Sequence, residues 1–203
     1  MKKLIALICR HGETKLNATN CFRSWIDIPL NEKGEKQAKD MADFLMDYPI
    51  KRVIASPLNR TVVTAHEFAD RKGIRVEQDR GLLPWNLGVL AGRDKTESTP
   101  ALQLFVNNSD IKIPAGESLN EFQSRVATFF TPELIASDAL PLTAFFCHTS
   151  NITMLESIIN DEQRGPEDAE VVKPGGVCGI YKTDLWLVIE PIFGTPEQAN
   201  FGS

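Results

Sequence analysis

The chain has 203 residues, of which 42% are apolar and 24% charged, close to the soluble globular average, so disordered, collagen-like and coiled-coil chains are excluded. That length favours one core, burying roughly 70% of the unfolded surface, and a single domain is expected over residues 1–203. Lys and Arg number 22 against 27 Asp and Glu, and the net charge of −5 argues against a nucleic-acid or anionic-membrane partner. A local basic pocket for a small anion stays compatible with it. The four cysteines (Cys9, Cys21, Cys147, Cys178) form no CxxC pair, and Cys9 and Cys147 lie in apolar runs, as buried thiols of a reducing compartment do. The run Leu4–Cys9 is too short for a signal peptide, and no window approaches the ~20 apolar residues of a membrane span, so a cytoplasmic protein is expected.

Leu4–Cys9 is continuously apolar, as in a strand buried on both faces. Asn31 can cap a helix carrying Ala38, Met41, Ala42, Leu45 and Met46 at helical spacing. Val53–Ala55 is a short strand running into Ser56-Pro57, which predicts a serine N-cap, a proline at the first helical position, and a helix to about Asp70. Ile74–Glu77 is a third strand, Gly81–Arg93 a loop, and Pro100–Val106 a short helix. Ser118 and Glu121 have capping-box spacing ahead of Phe122, Val126, Phe129 and Phe130. Leu142–Cys147 is an apolar strand followed by a helix over Asn151–Asn160, and Val177–Thr183 and Leu185–Glu190 close the sheet ahead of a Pro- and Gly-containing tail. Strands alternating with helices predict an α/β, three-layer α/β/α sandwich with a mostly parallel central sheet.

In such sheets ligands sit at the carboxyl ends of the strands. Those ends carry Arg10-His11-Gly12, Ser56-Pro57 with Arg60 one turn on, and His148. Two of the three histidines therefore meet two arginines on one rim. Guanidinium groups push an adjacent imidazole towards its neutral, nucleophilic form, while their forks match phosphoryl oxygens. The pattern points to phosphoryl transfer through a covalent histidine intermediate. Rival chemistries lack their residues: no cysteine has an arginine six positions later, and GxxxxGK[ST], GxGxxG, GxSxG and HExxH are all missing. No metal and no cofactor are expected.

Arg10-His11-Gly12-Glu13-Thr14 with Asn17 resembles the first signature of the histidine phosphatase superfamily, which includes phosphoglycerate mutase-like proteins. Trp25, Asp27, Pro29 and Leu30 with Gly34, Gln37 and Ala38 follow its second stretch, and Ser56-Pro57-Leu58-Asn59-Arg60-Thr61 with Thr64-Ala65 its third. Pro114-Ala115-Gly116-Glu117-Ser118 with Arg125 match a fourth, and His148 falls at the family's second histidine. The resemblance implies His11 as the phosphorylated nucleophile, with Arg10, Arg60 and His148 around the phosphoryl group and Asn17 as a further hydrogen-bonding contributor. Arg23 and Thr149 stand where the sequence departs from the family and are taken as substrate contacts. His66 has no counterpart in the motifs and reads as structural.

A second departure concerns the proton donor. The family's phosphomonoesterases carry a glutamate acid four residues before a glycine, and here Pro84 stands there ahead of Gly88. Asp94 and Glu97 are the replacement candidates, with Glu13 beside the nucleophile as a third. The expected function is hydrolysis of a small phosphomonoester. The alternatives are a protein phosphohistidine phosphatase and a phosphate-binding member without turnover, and mutase activity is disfavoured.

Overall fold

The apolar run near the N-terminus forms β1 (Lys3–Arg10), whose second half is fully buried in the middle of a six-stranded sheet. A computed structural model describes residues 2–136, 141–161, 172–184 and 186–194 of the chain. On one side β1 pairs in parallel with β4 (Thr143–Cys147), then come β2 (Arg52–Ala55) and β3 (Val76–Gln78), also parallel. On the other side β5 (Val177–Lys182) and β6 (Leu187–Phe193) add an antiparallel hairpin. The order is β3-β2-β4-β1-β5-β6.

The alternation of side chains along the strands feeds two apolar layers. Leu7, Val53, Ala144 and Phe146 meet Met41 and Leu45 of α2 (Glu32–Leu45) and Phe68 of α3 (Asn59–Lys72). From the opposite face Ile8, Ile54, Phe145 and Cys147 meet Phe122 and Phe130 of α5 (Leu119–Ala136) and Leu155 of α6 (Thr149–Asn160). The protein is thus the α/β sandwich that the sequence predicts. Cys9, Cys147 and Cys178 are buried thiols, and all four cysteines are unpaired. No helix among the described residues is long and apolar enough to cross a membrane.

Local chemistry decides where the elements begin. Asn31 accepts the Gly34 N–H at 2.8 Å, and Ser118 and Glu121 close a reciprocal capping box. The serine cap expected for α3 does not form. Ser56 faces His148 instead, Leu58 takes the N-cap position in an extended conformation, and the Asp27 carboxylate from a distant loop accepts the Asn59 N–H at 2.7 Å. A short helix α1 (Lys15–Ala18), capped by Thr14, follows the first motif. The next difference is α4 (Lys95–Asn107), which starts well before Pro100 because Asp94 caps it, so the proline lies inside the helix. β6 continues through Pro191 to Phe193, on an edge strand where a missing N–H costs little. Leu185 and the tail beyond Gly194 lie outside the described residues.

Candidate active site

The parallel register of β1 and β4 pairs Arg10 with Cys147, so the next residue of each strand brings His11 beside His148, with ring centroids 5.1 Å apart. Both rings are buried. The His11 Nδ1–H donates to the carbonyl of Gly12 at 2.6 Å, which leaves Nε2 with its lone pair, buried and without a partner among the described residues. Gly12 is required where it stands, because a Cβ there would lie 2.3 Å from the carbonyl oxygen of Gly34 on α2. Its N–H donates to Thr64 Oγ1 of α3, so both helices of this layer fix the loop that carries His11. His148 Nε2 lies 2.9 Å from Ser56 Oγ. With that hydroxyl donating, the proton of His148 sits on the buried Nδ1, ready for an anion.

The charges here have one sign. Burial first, then Arg60, Arg23 and Arg10, hold the His11 pKa well below its ordinary value. Burial and Arg60 do the same to His148. Burial and Arg23 push the Arg60 guanidinium down to about 9, against the pull of Asp27, so it stays protonated at neutral pH. The site therefore holds two neutral imidazoles among three guanidinium groups, an arrangement that stabilises a bound dianion.

Arg60 also builds the wall opposite the strands. Its Nη1 donates to the Ile26 carbonyl at 2.8 Å and its Nη2 to that of Ser24 at 2.9 Å, while Nε is buried with no partner among the described residues. Ser24 sits at φ +48, a left-handed conformation that its hydroxyl compensates by donating to the Trp85 carbonyl and accepting the Leu87 N–H. Arg125 donates to the carbonyls of Gly81, Leu83 and Pro84 while gripping Glu117, and Glu117 in turn accepts the Asn86 N–H. The 81–88 loop is thus strapped to α5. The cleft so formed is lined by Phe22, Arg23, Ser24, Arg60, Pro84, Trp85, Leu87, Lys95, His148, Thr149 and Ser150. None of these carries a carboxylate.

A model of the histidine phosphatase superfamily (branch 1) matches residues 6–174. The chain belongs to the histidine phosphatase superfamily. Among curated relatives, the probable phosphoglycerate mutase GpmB of Escherichia coli is 36% identical over 124 residues. That match spans 59% of this chain and 58% of the relative, so the chain covers less than two thirds of it. A solved mycobacterial glucosyl-3-phosphoglycerate phosphatase superposes with a TM-score of 0.78 at 18% identity, over 96% of this chain and all of that one. The alpha-ribazole phosphatase of Shigella flexneri gives 0.77 at 20% identity, covering 96% of each chain. At those identities the two structures speak to the fold.

Within this superfamily fold, His11, Arg10, Arg60 and His148 converge as the sequence predicts, and Arg23 and Thr149 line the cleft. Thr149 Oγ1 is buried without a partner among the described residues. Asn17 is half-buried, its side-chain oxygen committed to the Thr14 cap of α1. The three acid candidates are engaged elsewhere. Asp94 accepts the Glu97 N–H as the cap of α4, Glu97 is exposed, and neither lines the cleft. Glu13 receives the Asn31 amide and the Lys33 ammonium, which outweigh burial and hold its carboxyl below the ordinary value, making it a poor proton donor. His66 is an exposed partner of Asp70 on α3. Sequence reasoning missed Ser24, Ser56 and Lys95. A serine directly after a strand was the available signal for Ser56, read as a cap because proline followed.

Proposed function

We propose that the protein is a phosphatase that hydrolyses small phosphomonoesters through a phosphohistidine on His11. The observation that carries this reading is the buried, neutral His11, held by Gly12 with Nε2 available among Arg10, Arg23 and Arg60. In the first step the Nε2 lone pair attacks phosphorus and the bond to the leaving oxygen breaks. Guanidinium groups and the His148 N–H hold the non-bridging oxygens as charge redistributes. In the second step water attacks phosphorus, the P–N bond breaks, and inorganic phosphate leaves His11 neutral. A reducing cytoplasm is the proposed setting, in keeping with four unpaired thiols.

The carboxylate-free cleft favours a second reading, in which phosphohistidine on a protein is the substrate, since its leaving group asks less of an acid. Hydrolysis of p-nitrophenyl phosphate by the wild type, lost in His11→Ala, tests catalysis itself. Binding of phosphate or vanadate with no turnover would contradict it. Isomerisation of a phosphoglycerate without phosphate release would instead make the chain a mutase.

A further inference from the structure

A departing alkoxide needs a proton, and the side chains around the cleft offer few sources. Guanidinium groups keep theirs. Burial and the neighbouring arginines keep His148 neutral. The Ser24 hydroxyl already donates to the Trp85 carbonyl. What stands out is Lys95, the first residue of α4, which lines the cleft at half-burial and rests its ammonium 5.8 Å from the ring centroid of Phe22.

Backbone hydrogen bonds fix the position of Lys95 in the chain. Phe22 N–H donates to the Arg93 carbonyl at 2.9 Å, Gly92 N–H to that of Phe22 at 2.7 Å, and Lys95 N–H to that of Asn20 at 2.9 Å. Cys21 and Asp94 complete the ladder as an antiparallel bridge. The segment carrying Arg23 and the start of α4 therefore form one two-stranded edge, with Asp94 capping the helix directly behind the lysine.

Resting on the phosphatase reading above, we propose that Lys95 is the general acid for the leaving oxygen. As His11 Nε2 bonds to phosphorus and the P–O bond breaks, the leaving oxygen takes one proton from the Lys95 ammonium and departs as an alcohol, leaving a neutral amine. When water then attacks phosphorus and the P–N bond breaks, the amine takes the water's proton and the ammonium is restored. An ammonium is a stronger acid than an alcohol, so the transfer runs downhill.

The test compares wild type, Lys95→Ala, Lys95→Met and Lys95→Arg on p-nitrophenyl phosphate, phenyl phosphate and an alkyl phosphate, with inorganic phosphate affinity as a check on the pocket. Lys95→Ala and Lys95→Met should lose less than about 5-fold in kcat on the nitrophenyl ester but about 10²–10³-fold on the alkyl ester, the scale of general acid catalysis. Lys95→Arg, which keeps charge without a transferable proton, should lose as much on the alkyl ester. Restoration by arginine, or an equal loss on all three esters, would overturn the assignment. A wild type that cleaves the nitrophenyl ester but not the alkyl one would overturn it too, with the phosphatase reading intact. A wild type inert on every ester would refute both.

Discussion

On the strand side of the cleft, His11, Arg10 and His148 are carried by the ends of paired, fully buried strands, and their spacing is a property of the sheet. On the loop side, Ser24, Pro84 and Trp85 are held by side chains reaching back to carbonyls, chiefly Arg60 and Arg125. The strand side supplies both neutral imidazoles and Arg10, whereas the loop side offers apolar surface, hydroxyls, Arg23 and Lys95. Under the phosphatase reading proposed above, phosphoryl chemistry belongs to the rigid half and leaving-group recognition to the half that sequence variation can reshape.

The sharpest way to break this division is on the strand side. His11→Ala should reduce turnover by at least about 10⁴-fold, the scale on which a lost nucleophile acts, with the fold intact by circular dichroism. Arg60→Ala, which joins the two sides, should cost about 10²–10³-fold. Arg60→Lys should not restore it, because a single ammonium nitrogen cannot reproduce the planar fork that reaches the Ile26 and Ser24 carbonyls from Nη1 and Nη2 and leaves Nε over. Full activity in Arg60→Lys would show that charge alone suffices.

Acid should expose the cost of burying neutral histidines. Both have folded-state pKa values lowered well below 6.5, so below that pH the unfolded chain binds more protons than the folded one. Stability is therefore fully present above about pH 6.5 and falls on acidification by up to about 3 kcal/mol per pH unit for the pair. Urea midpoints that stay flat between pH 7 and 5.5 would mean that the rings are protonated in the fold.

Glu117→Ala tests the loop side alone. It leaves Arg125 without its carboxylate and the Asn86 N–H without an acceptor, and should cost about 2 kcal/mol, or roughly 4–8 °C in Tm. Turnover should fall with it while vanadate affinity changes less. Loss of vanadate binding together with turnover would erase the distinction between the sides. The smallest effect belongs to Asp94→Asn, less than 2-fold in kcat, since asparagine caps a helix about as well as aspartate. A large loss in that variant would return Asp94 to the chemistry.

These differences follow what a sequence can carry. The strand side was legible because apolar runs ending in Arg10-His11 and in His148 place those groups on one rim by topology alone. The capping box at Ser118 and the cap at Asn31 were legible for the same reason, being local. The rest depends on contacts distant in sequence. Asp27 capping α3, Ser56 turning to His148, and Lys95 drawn in by the 20–22 segment have partners that no local pattern announces. Pro100 misled because a proline early in a helix resembles its start, whereas Asp94 supplied the cap.

Passage of the phosphoryl group through Nε2 of His11 is the step that the proposed phosphatase chemistry requires. Its most direct test is to mix enzyme with a ³²P-labelled phosphomonoester, quench in base, where phosphohistidine survives, and locate the label by peptide mapping. Base-stable, acid-labile label is expected on the peptide containing His11, and none in His11→Ala. Label on another residue, or label that persists in His11→Ala, would contradict it.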